Sequence, residues 1–171
     1  MANEVIGIAG CGAMGEPIAQ RLLAAGFEVW IHDVRPLSEF GAIATYMVED
    51  AAEFARRCNI VISVVRDVSQ TRSLLFGEAQ GIVHGDNPPE VLVISSTVSP
   101  RFIRQLLTEL PRQTELVDAA MSGAPYRARE GTLSFMIGGS DIVIDRLMPI
   151  LDVVGNRHFR LGNVGMGVGG F

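Results

Sequence analysis

Short runs of Val, Ile and Leu recur along the chain and alternate with stretches in which apolar and charged positions follow helical spacing. Most of the apolar runs are continuous rather than alternating, a pattern that predicts strands covered on both faces. The predicted strands lie at 5–9, 28–32, 59–65, 91–95, 115–118, 133–137 and 158–161. The predicted helices lie at 16–25, 50–57, 69–76, 100–110 and 141–153, the last with Asp141 as its N-cap.

The alternation of strands and helices is typical of βαβ units and a parallel sheet. We therefore predict an α/β fold of the Rossmann type: a doubly wound, mainly parallel sheet of roughly six to eight strands with helices on both faces. A length of 171 residues leaves room for one domain of ordinary size. A composition of 48% hydrophobic and 19% charged residues excludes disorder and a coiled coil.

The formal net charge of −5 argues against a broad basic surface, so neither nucleic acid nor an anionic membrane is expected as a partner. The first residues lack a basic region, and the uncharged run at 5–15 is too short to span a membrane. Cys11 and Cys58 lie in apolar stretches, which predicts reduced thiols in a cytoplasmic protein. All 14 basic residues are Arg, so no mechanism that needs a lysine ammonium group can operate on this chain.

A G-x-G-x-x-G pattern at 10–15 follows the first predicted strand and opens the first predicted helix. Gly10 would allow the tight turn, Gly12 the approach of a diphosphate to the backbone, and Gly15 the close packing of helix and strand. Free N–H groups and the positive end of the helix, predicted to start near Ala13, would hold the phosphates. The predicted dinucleotide contacts in this turn are Gly10, Gly12, Ala13, Met14 and Gly15.

Asp33 ends the second predicted strand, where a carboxylate would accept hydrogen bonds from the ribose hydroxyls of a dinucleotide. The same carboxylate would repel a 2′-phosphate, which favours NAD over NADP. Arg35 offers a guanidinium for that phosphate and leaves NADP as an alternative; otherwise it is an exposed loop cation. A glycine turn between any strand and helix is the simpler interpretation of 10–15, but the succession of strand, turn, helix, strand and acid favours the dinucleotide site.

Two further motifs follow in order: S-T-V-S-P at 96–100, and D-A-A-M-S-G at 118–123 running into G-T-L at 131–133 and a glycine pair at 138–139. With the glycine turn, these motifs resemble the β-hydroxyacid dehydrogenase family, whose members include 3-hydroxyisobutyrate dehydrogenase, tartronate semialdehyde reductases and 6-phosphogluconate dehydrogenases. The departures include Ala120 in place of the family's proline and Ala124 in place of a glycine. They leave the substrate open and do not change the expected fold.

The resemblance implies an oxidoreductase that transfers a hydride between NAD and a small 3-hydroxy acid, with further cofactor contacts from Val65, Arg66 and Thr97. It also implies that Ser122 and Gly123 bind the substrate carboxylate. From the residues alone, Thr97 could instead cap the helix that begins at Pro100, and 122–123 could be an ordinary turn.

In the family, a lysine follows a glycine-rich segment and leads into a helical second domain. Phe171 stands at that lysine's position, so the resemblance implies a dinucleotide-binding domain at 1–161 and the start of an interdomain connection at 162–171. The helical domain and the catalytic lysine would then be absent, and the isolated chain inactive. The alternatives are a stand-alone dinucleotide-binding or sensing module and, less favoured, an imine reductase-like enzyme. A homo-oligomer is a further expectation.

Overall fold

A computed structural model describes residues 3–77 and 81–170, which form a single seven-stranded sheet flanked by helices. The strands are β1 Val5–Ala9, β2 Glu28–His32, β3 Ile60–Ser63, β4 Val91–Ile94, β5 Glu115–Ser122, β6 Leu133–Gly138 and β7 Gly155–Gly162. The α-helices are α1 Gly15–Ala24, α2 Ala51–Arg57, α3 Val68–Phe76, α4 Pro100–Glu109, α5 Pro125–Glu130 and α6 Asp141–Val154. None of the helices in the described ranges has the length and apolarity needed to cross a membrane.

The strand order is β2-β1-β3-β4-β5-β6-β7, and β5 and β6 are the one antiparallel pair among these neighbours. The predicted Rossmann-type, mainly parallel sheet is confirmed. The chain winds from β1 to β2 on one side and then crosses to β3 on the other, so the order reverses at β1. In open α/β sheets this reversal opens a crevice at the carboxyl ends of the strands. The glycine turn follows β1 directly and therefore lies at that crevice.

Both faces of the sheet are covered, as the continuous apolar runs predict. All four positions of β3 are buried: Ile60 and Ile62 pack on one face, and Val61 packs on the other. Apolar residues of α1, α5 and α6 cover the first face, while those of α2, α3 and α4 cover the second. The sheet is therefore the middle layer of a three-layer structure, and its loops at the carboxyl edge are free to form a site.

The observed element boundaries correct several sequence predictions. β5 continues past Asp118 to Ser122, because its second half pairs with the antiparallel β6 instead of a parallel neighbour. β7 begins at Gly155, three residues before the predicted start. The N-cap of α6 is Ser140 and not Asp141: the backbone of Ser140 is extended, and its hydroxyl accepts a hydrogen bond from the Val143 N–H at 3.4 Å.

The helix α5 was not predicted, because its six residues are too few to show helical periodicity. Its ends still carry recognisable signals. Pro125 occupies the first turn, where the missing N–H costs nothing, and Gly131 closes the helix in the left-handed region at φ +71°. This short helix packs beside α1 and adds side chains to the carboxyl edge.

Asp118, which begins the third sequence motif, is completely buried in the middle of β5. Its two carboxylate oxygens accept hydrogen bonds from the backbone N–H groups of Gly165 at 2.6 Å and Val168 at 2.8 Å. Glycine is needed at 138 and 167, because a Cβ at either position would lie within 2.8 Å of an Asp118 oxygen. Residues 162–170, predicted to start a connection, thus pack back onto β5 and β6; Phe171 lies outside the described residues.

We expect Asp118→Ala to lower the free energy of unfolding by about 3 kcal/mol, because it leaves two buried N–H groups without a hydrogen-bond acceptor. Asp118→Asn keeps one acceptor oxygen and should lose less. Urea denaturation measures the stability change, and hydrogen exchange at the Gly165 and Val168 amides locates it. The matched control is Glu115→Ala, which removes an exposed carboxylate from the same strand. Equal stability of D118A and E115A would contradict the assignment.

Candidate functional site

A cleft of about 380 Å³ opens at the carboxyl edge, beside the turn that joins β1 to α1. Residues of that turn, residues of the first two turns of α1 and two arginines line it. The lining residues are Cys11, Gly12, Ala13, Glu16, Pro17, Gln20, Arg35 and Arg129. Of the predicted site residues, Gly12, Ala13 and Arg35 line the cleft.

The three glycines of the turn have different geometric roles. Gly10 has φ +100°, and a Cβ on it would lie 3.0 Å from the Val64 carbonyl group. A Cβ on Gly15 would lie 1.7 Å from the carbonyl oxygen of Gly10, so any side chain there would push α1 away from β1. A Cβ on Gly12 would meet no atom within 4 Å, which means that the backbone at Gly12 faces open space.

The N–H groups of Gly12, Ala13 and Met14 have no acceptor within the part of the chain that the structure describes. The helix α1 begins at Gly15, between the predicted start near Ala13 and the predicted range 16–25, so these groups precede its first turn. They and the positive end of the ten-residue helix face the same edge. Free N–H groups at the start of a helix suit an anion, and a diphosphate in particular.

Asp33 lies directly after β2 and holds the glycine turn in place. Its Oδ2 accepts a hydrogen bond from the Cys11 N–H at 2.8 Å, and its Oδ1 accepts from the Arg35 N–H at 3.0 Å. Burial by itself would raise the pKa of this carboxyl. The hydrogen bonds from the side chain and backbone of Arg35 and from Cys11 outweigh that effect and hold the pKa below its ordinary value. Asp33 is therefore an anion at neutral pH.

The guanidinium of Arg35 forms an ion pair with Asp33. Its Nε donates to Asp33 Oδ1 at 3.2 Å, and its Nη2 donates to the Cys11 carbonyl oxygen at 2.9 Å. The guanidinium also stacks on the ring of Phe40, 4.6 Å from the centroid, and its Nη1 lies 3.7 Å from Glu39. Arg35 therefore joins the loop after β2 to the glycine turn. The interpretation of Arg35 as merely an exposed loop cation does not account for these contacts.

Cys11 is the second residue of the glycine turn, and its thiol is buried and free. Burial, reinforced by the nearby carboxylates of Glu16 and Asp33, raises the pKa of this thiol to about 12. It is therefore neutral at physiological pH and acts as a small apolar side chain. Cys58 is also buried and free, with burial raising its pKa to about 12.

The loops after β3 and β4 meet beside the glycine turn. The Ser96 hydroxyl donates to the Val65 carbonyl oxygen, which joins the two loops, and the Arg66 N–H donates to Gln70 Oε1 at 2.8 Å. Thr97 is exposed. The alternative in which Thr97 caps α4 is wrong, because the cap is Ser99, whose hydroxyl accepts from the Phe102 N–H at 3.2 Å.

Ser122 ends β5, Gly123 follows it, and both residues are exposed. Asp118 pairs with Ile94, the last residue of β4, so Ser122 extends four residues, or roughly 13 Å, past the end of the neighbouring strand. Gly123 has φ +142°, and the Arg127 side chain packs where its Cβ would be. These two residues share the carboxyl edge with Thr97, but they do not line the cleft beside the glycine turn.

Arg129 is one of the cleft residues that the sequence did not single out as part of the site. It comes from α5, the helix that was too short to be predicted, and no periodic pattern marks it. The proline and glycine that begin and end α5 are the signal that would have revealed the helix. The approach of α5 to the glycine turn depends on tertiary packing and has no local signal.

Residues 5–166 match the family model described as the NAD binding domain of 6-phosphogluconate dehydrogenase. The chain belongs to this family. The expected family and its cofactor class are therefore confirmed, and the seven-stranded sheet is the fold of an NAD-binding domain.

Individual relatives agree with the family assignment. The chain is 35% identical over 160 residues to an L-threonate dehydrogenase of Cupriavidus necator, covering 92% of this chain and 54% of that one. Its structure superposes on the 3-hydroxyisobutyrate dehydrogenase of Mycobacterium tuberculosis, solved with L-serine, with a TM-score of 0.87 at 25% identity, over 98% of this chain and 57% of that one. The structure also superposes on an imine reductase from Pseudomonas sp. with a TM-score of 0.81 at 19% identity, over 97% of this chain and 58% of that one. At this identity the likeness is one of fold alone. The chain spans about half the length of these proteins.

We expect opposite consequences from alanine at two glycines of the turn. Gly12→Ala should leave the free energy of unfolding within about 0.5 kcal/mol, because its methyl group meets only open space, yet it should weaken NAD binding at least about tenfold by standing where the diphosphate approaches. Gly15→Ala should cost more than about 2 kcal/mol through the clash with Gly10. Denaturant unfolding and titration calorimetry measure both effects. Wild-type NAD affinity in G12A would contradict this geometry.

Proposed function

We propose that this chain is the NAD-binding half of an oxidoreductase that transfers a hydride between a nicotinamide cofactor and a small 3-hydroxy acid. The observation that carries the proposal is the open glycine turn, with its free N–H groups, fixed beside an ionised Asp33 at the switch point of the sheet. When bound, the nicotinamide ring would supply or accept the hydride. The protein's part is to bind, orient and exclude water.

The donors and acceptors present fit a dinucleotide. The N–H groups of Gly12, Ala13 and Met14 would donate to the diphosphate at the positive end of α1. The carboxylate of Asp33 would accept from the adenosine ribose hydroxyls. Since Arg35 already donates to that carboxylate, its guanidinium would have to move aside to make room for the ribose.

The charges around Asp33 support NAD as the preferred cofactor. A 2′-phosphate would lie beside an ionised carboxylate, which repels it. Arg35 is the residue that favours the alternative, NADP, but its charge is already balanced by Asp33 at 3.2 Å and Glu39 at 3.7 Å.

We expect Asp33→Ala to weaken NAD binding by about 1–3 kcal/mol through the loss of a charged hydrogen-bond acceptor. Arg35→Ala should preserve or improve NAD affinity, because it removes a competing donor from Asp33. Titration calorimetry of both variants with NAD and NADP separates the two residues. Tighter binding of NADP than of NAD by the wild type, lost in R35A, would show that Arg35 and not Asp33 sets the preference.

For the substrate, we propose that the Ser122 hydroxyl and the Gly123 N–H bind the carboxylate, with Thr97, Val65 and Arg66 beside the nicotinamide. The exposed position of Ser122 and Gly123 at the carboxyl edge supports this assignment. The matched L-threonate dehydrogenase is named for a small hydroxy acid, which supports the substrate class. The two alanines at 120 and 124, where the resembling motif has proline and glycine, leave the particular acid open.

The hydroxyl proton released with the hydride needs an acceptor. The sequence contains no lysine. The resemblance implies that Phe171, which can neither donate nor accept a proton, stands at the position of the family's lysine. We propose that the proton acceptor comes from outside these 171 residues. The chain then binds the cofactor without turning over a substrate.

We expect the 171-residue chain to bind NAD but to form no NADH from 3-hydroxyisobutyrate, glycerate or threonate at rates normal for a dehydrogenase. Loss of a general base alone typically lowers the rate by about 10²–10⁴. A longer product of the same reading frame, carrying a helical second domain, should be active in the same absorbance assay. Normal turnover by the short chain would contradict the missing-base argument. A longer protein that binds NAD without turnover would favour a sensing module.

A further inference from the structure

The charges of the cleft beside the glycine turn are not equally compensated. Its lining contains two guanidinium groups, Arg35 and Arg129, and one carboxylate, Glu16. Arg35 is paired with Asp33 and Glu39. Arg129 is exposed, and its side chain forms neither an ion pair nor a hydrogen bond with any residue of 3–77 or 81–170.

Glu16 does not neutralise Arg129. Its Oε1 accepts a hydrogen bond from Gln20 Nε2 at 3.2 Å, one turn further along α1, and it makes no ion pair with Arg129. Its negative charge lies in the same cleft and weakens the attraction of any anion. Arg129 is nevertheless the one cation of the described cleft lining whose charge has no carboxylate partner.

The position of Arg129 is fixed by its backbone. Arg21, in the second half of α1, donates from Nη1 to the Arg129 carbonyl oxygen at 3.0 Å and from Nε to the Val153 carbonyl oxygen at 2.8 Å. The Arg21 guanidinium also fills the space at Gly131, where a Cβ would lie 2.5 Å from it. One side chain thus ties α5 and α6 to α1 and fixes the backbone of Arg129 beside the cleft.

We propose that Arg129 binds a phosphate group of the dinucleotide, opposite the N–H groups of the glycine turn. The proposal rests on the proposed NAD-binding function and adds a contact that comes from α5 rather than from the dinucleotide motif. The same cleft is lined by Gly12 and Ala13, whose N–H groups have no acceptor among the described residues. An uncompensated guanidinium beside them is suited to a phosphate group, to which arginine can donate two parallel hydrogen bonds. The phosphate belongs to the diphosphate or, with NADP, to the 2′ position.

The test compares Arg129→Gln with Arg112→Gln in titration calorimetry with NAD and NADP. Arg112 is a matched control, because it is exposed, lacks an ion pair within the described residues and precedes β5 at the opposite edge of the sheet. R129Q should weaken NAD binding about three- to tenfold and flatten its dependence on salt, while R112Q should match the wild type. R129K, which keeps the charge, should recover part of the affinity. Thermal unfolding verifies that each variant folds.

Comparison of NAD with NADP shows which phosphate group Arg129 binds. An equal loss for NAD and NADP assigns Arg129 to the diphosphate, and a loss confined to NADP assigns it to the 2′-phosphate; both support the proposal. Unchanged affinity of folded R129Q for both cofactors overturns it and leaves the proposed function intact. Failure of the wild-type chain to bind either cofactor overturns the proposed function and this proposal together.

Discussion

The close approach of α1 to β1 is the constraint on which the candidate site depends. The helix begins against the strand with no side chain between them, since a Cβ on Gly15 would lie 1.7 Å from the Gly10 carbonyl oxygen. This contact turns the positive end of α1 and the free N–H groups before it towards the carboxyl edge. It also leaves the backbone at Gly12 uncovered. The anion-binding character of the turn therefore follows from a packing requirement between two elements.

Two carboxylates then fix the loops at that edge through backbone N–H groups. Asp33 accepts from Cys11 and holds the glycine turn to the end of β2. Asp118 accepts from Gly165 and Val168 and holds residues 162–170 against β5 and β6. The Asp33 carboxylate lies beside the cleft and is proposed to meet the ribose, whereas the Asp118 carboxylate is fully buried and used entirely by the protein's own backbone.

The cleft combines residues that lie far apart in the chain. Most of its lining residues belong to the first twenty residues, and Arg35 follows the next strand, whereas Arg129 comes from α5. Arg21 links these parts, because its two carbonyl acceptors lie 108 and 132 residues away in sequence. This pair of hydrogen bonds, one part-buried and one exposed, favours one arrangement of α1, α5 and α6. It thereby determines which charged side chains face the glycine turn.

Local patterns were sufficient for the strands and helices that form the two hydrophobic faces. β1 and β2 match the predicted ranges because their apolar runs are continuous and end at turn residues. The glycine turn and Asp33 were also predictable, since the motif encodes its own backbone requirements within about twenty residues. Local patterns failed for α5, which is too short to show a period, and for the α6 cap, where Ser140 and Asp141 are both good cap residues.

The roles of Asp118 and Arg129 could be established only in three dimensions. Nothing near Asp118 in sequence indicates that its carboxylate meets the N–H groups of residues 165 and 168, because β5 and that segment come together only when the sheet forms. Likewise, the sequence does not distinguish Arg129 from the other arginines. Its position beside the cleft depends on the hydrogen bond by which Arg21 joins α5 to α1. The sequence alone thus determined the fold class and the dinucleotide motif, whose signals are local and periodic. Tertiary packing determined which distant charges are buried, paired or directed into the cleft, because burial and pairing depend on contacts between elements.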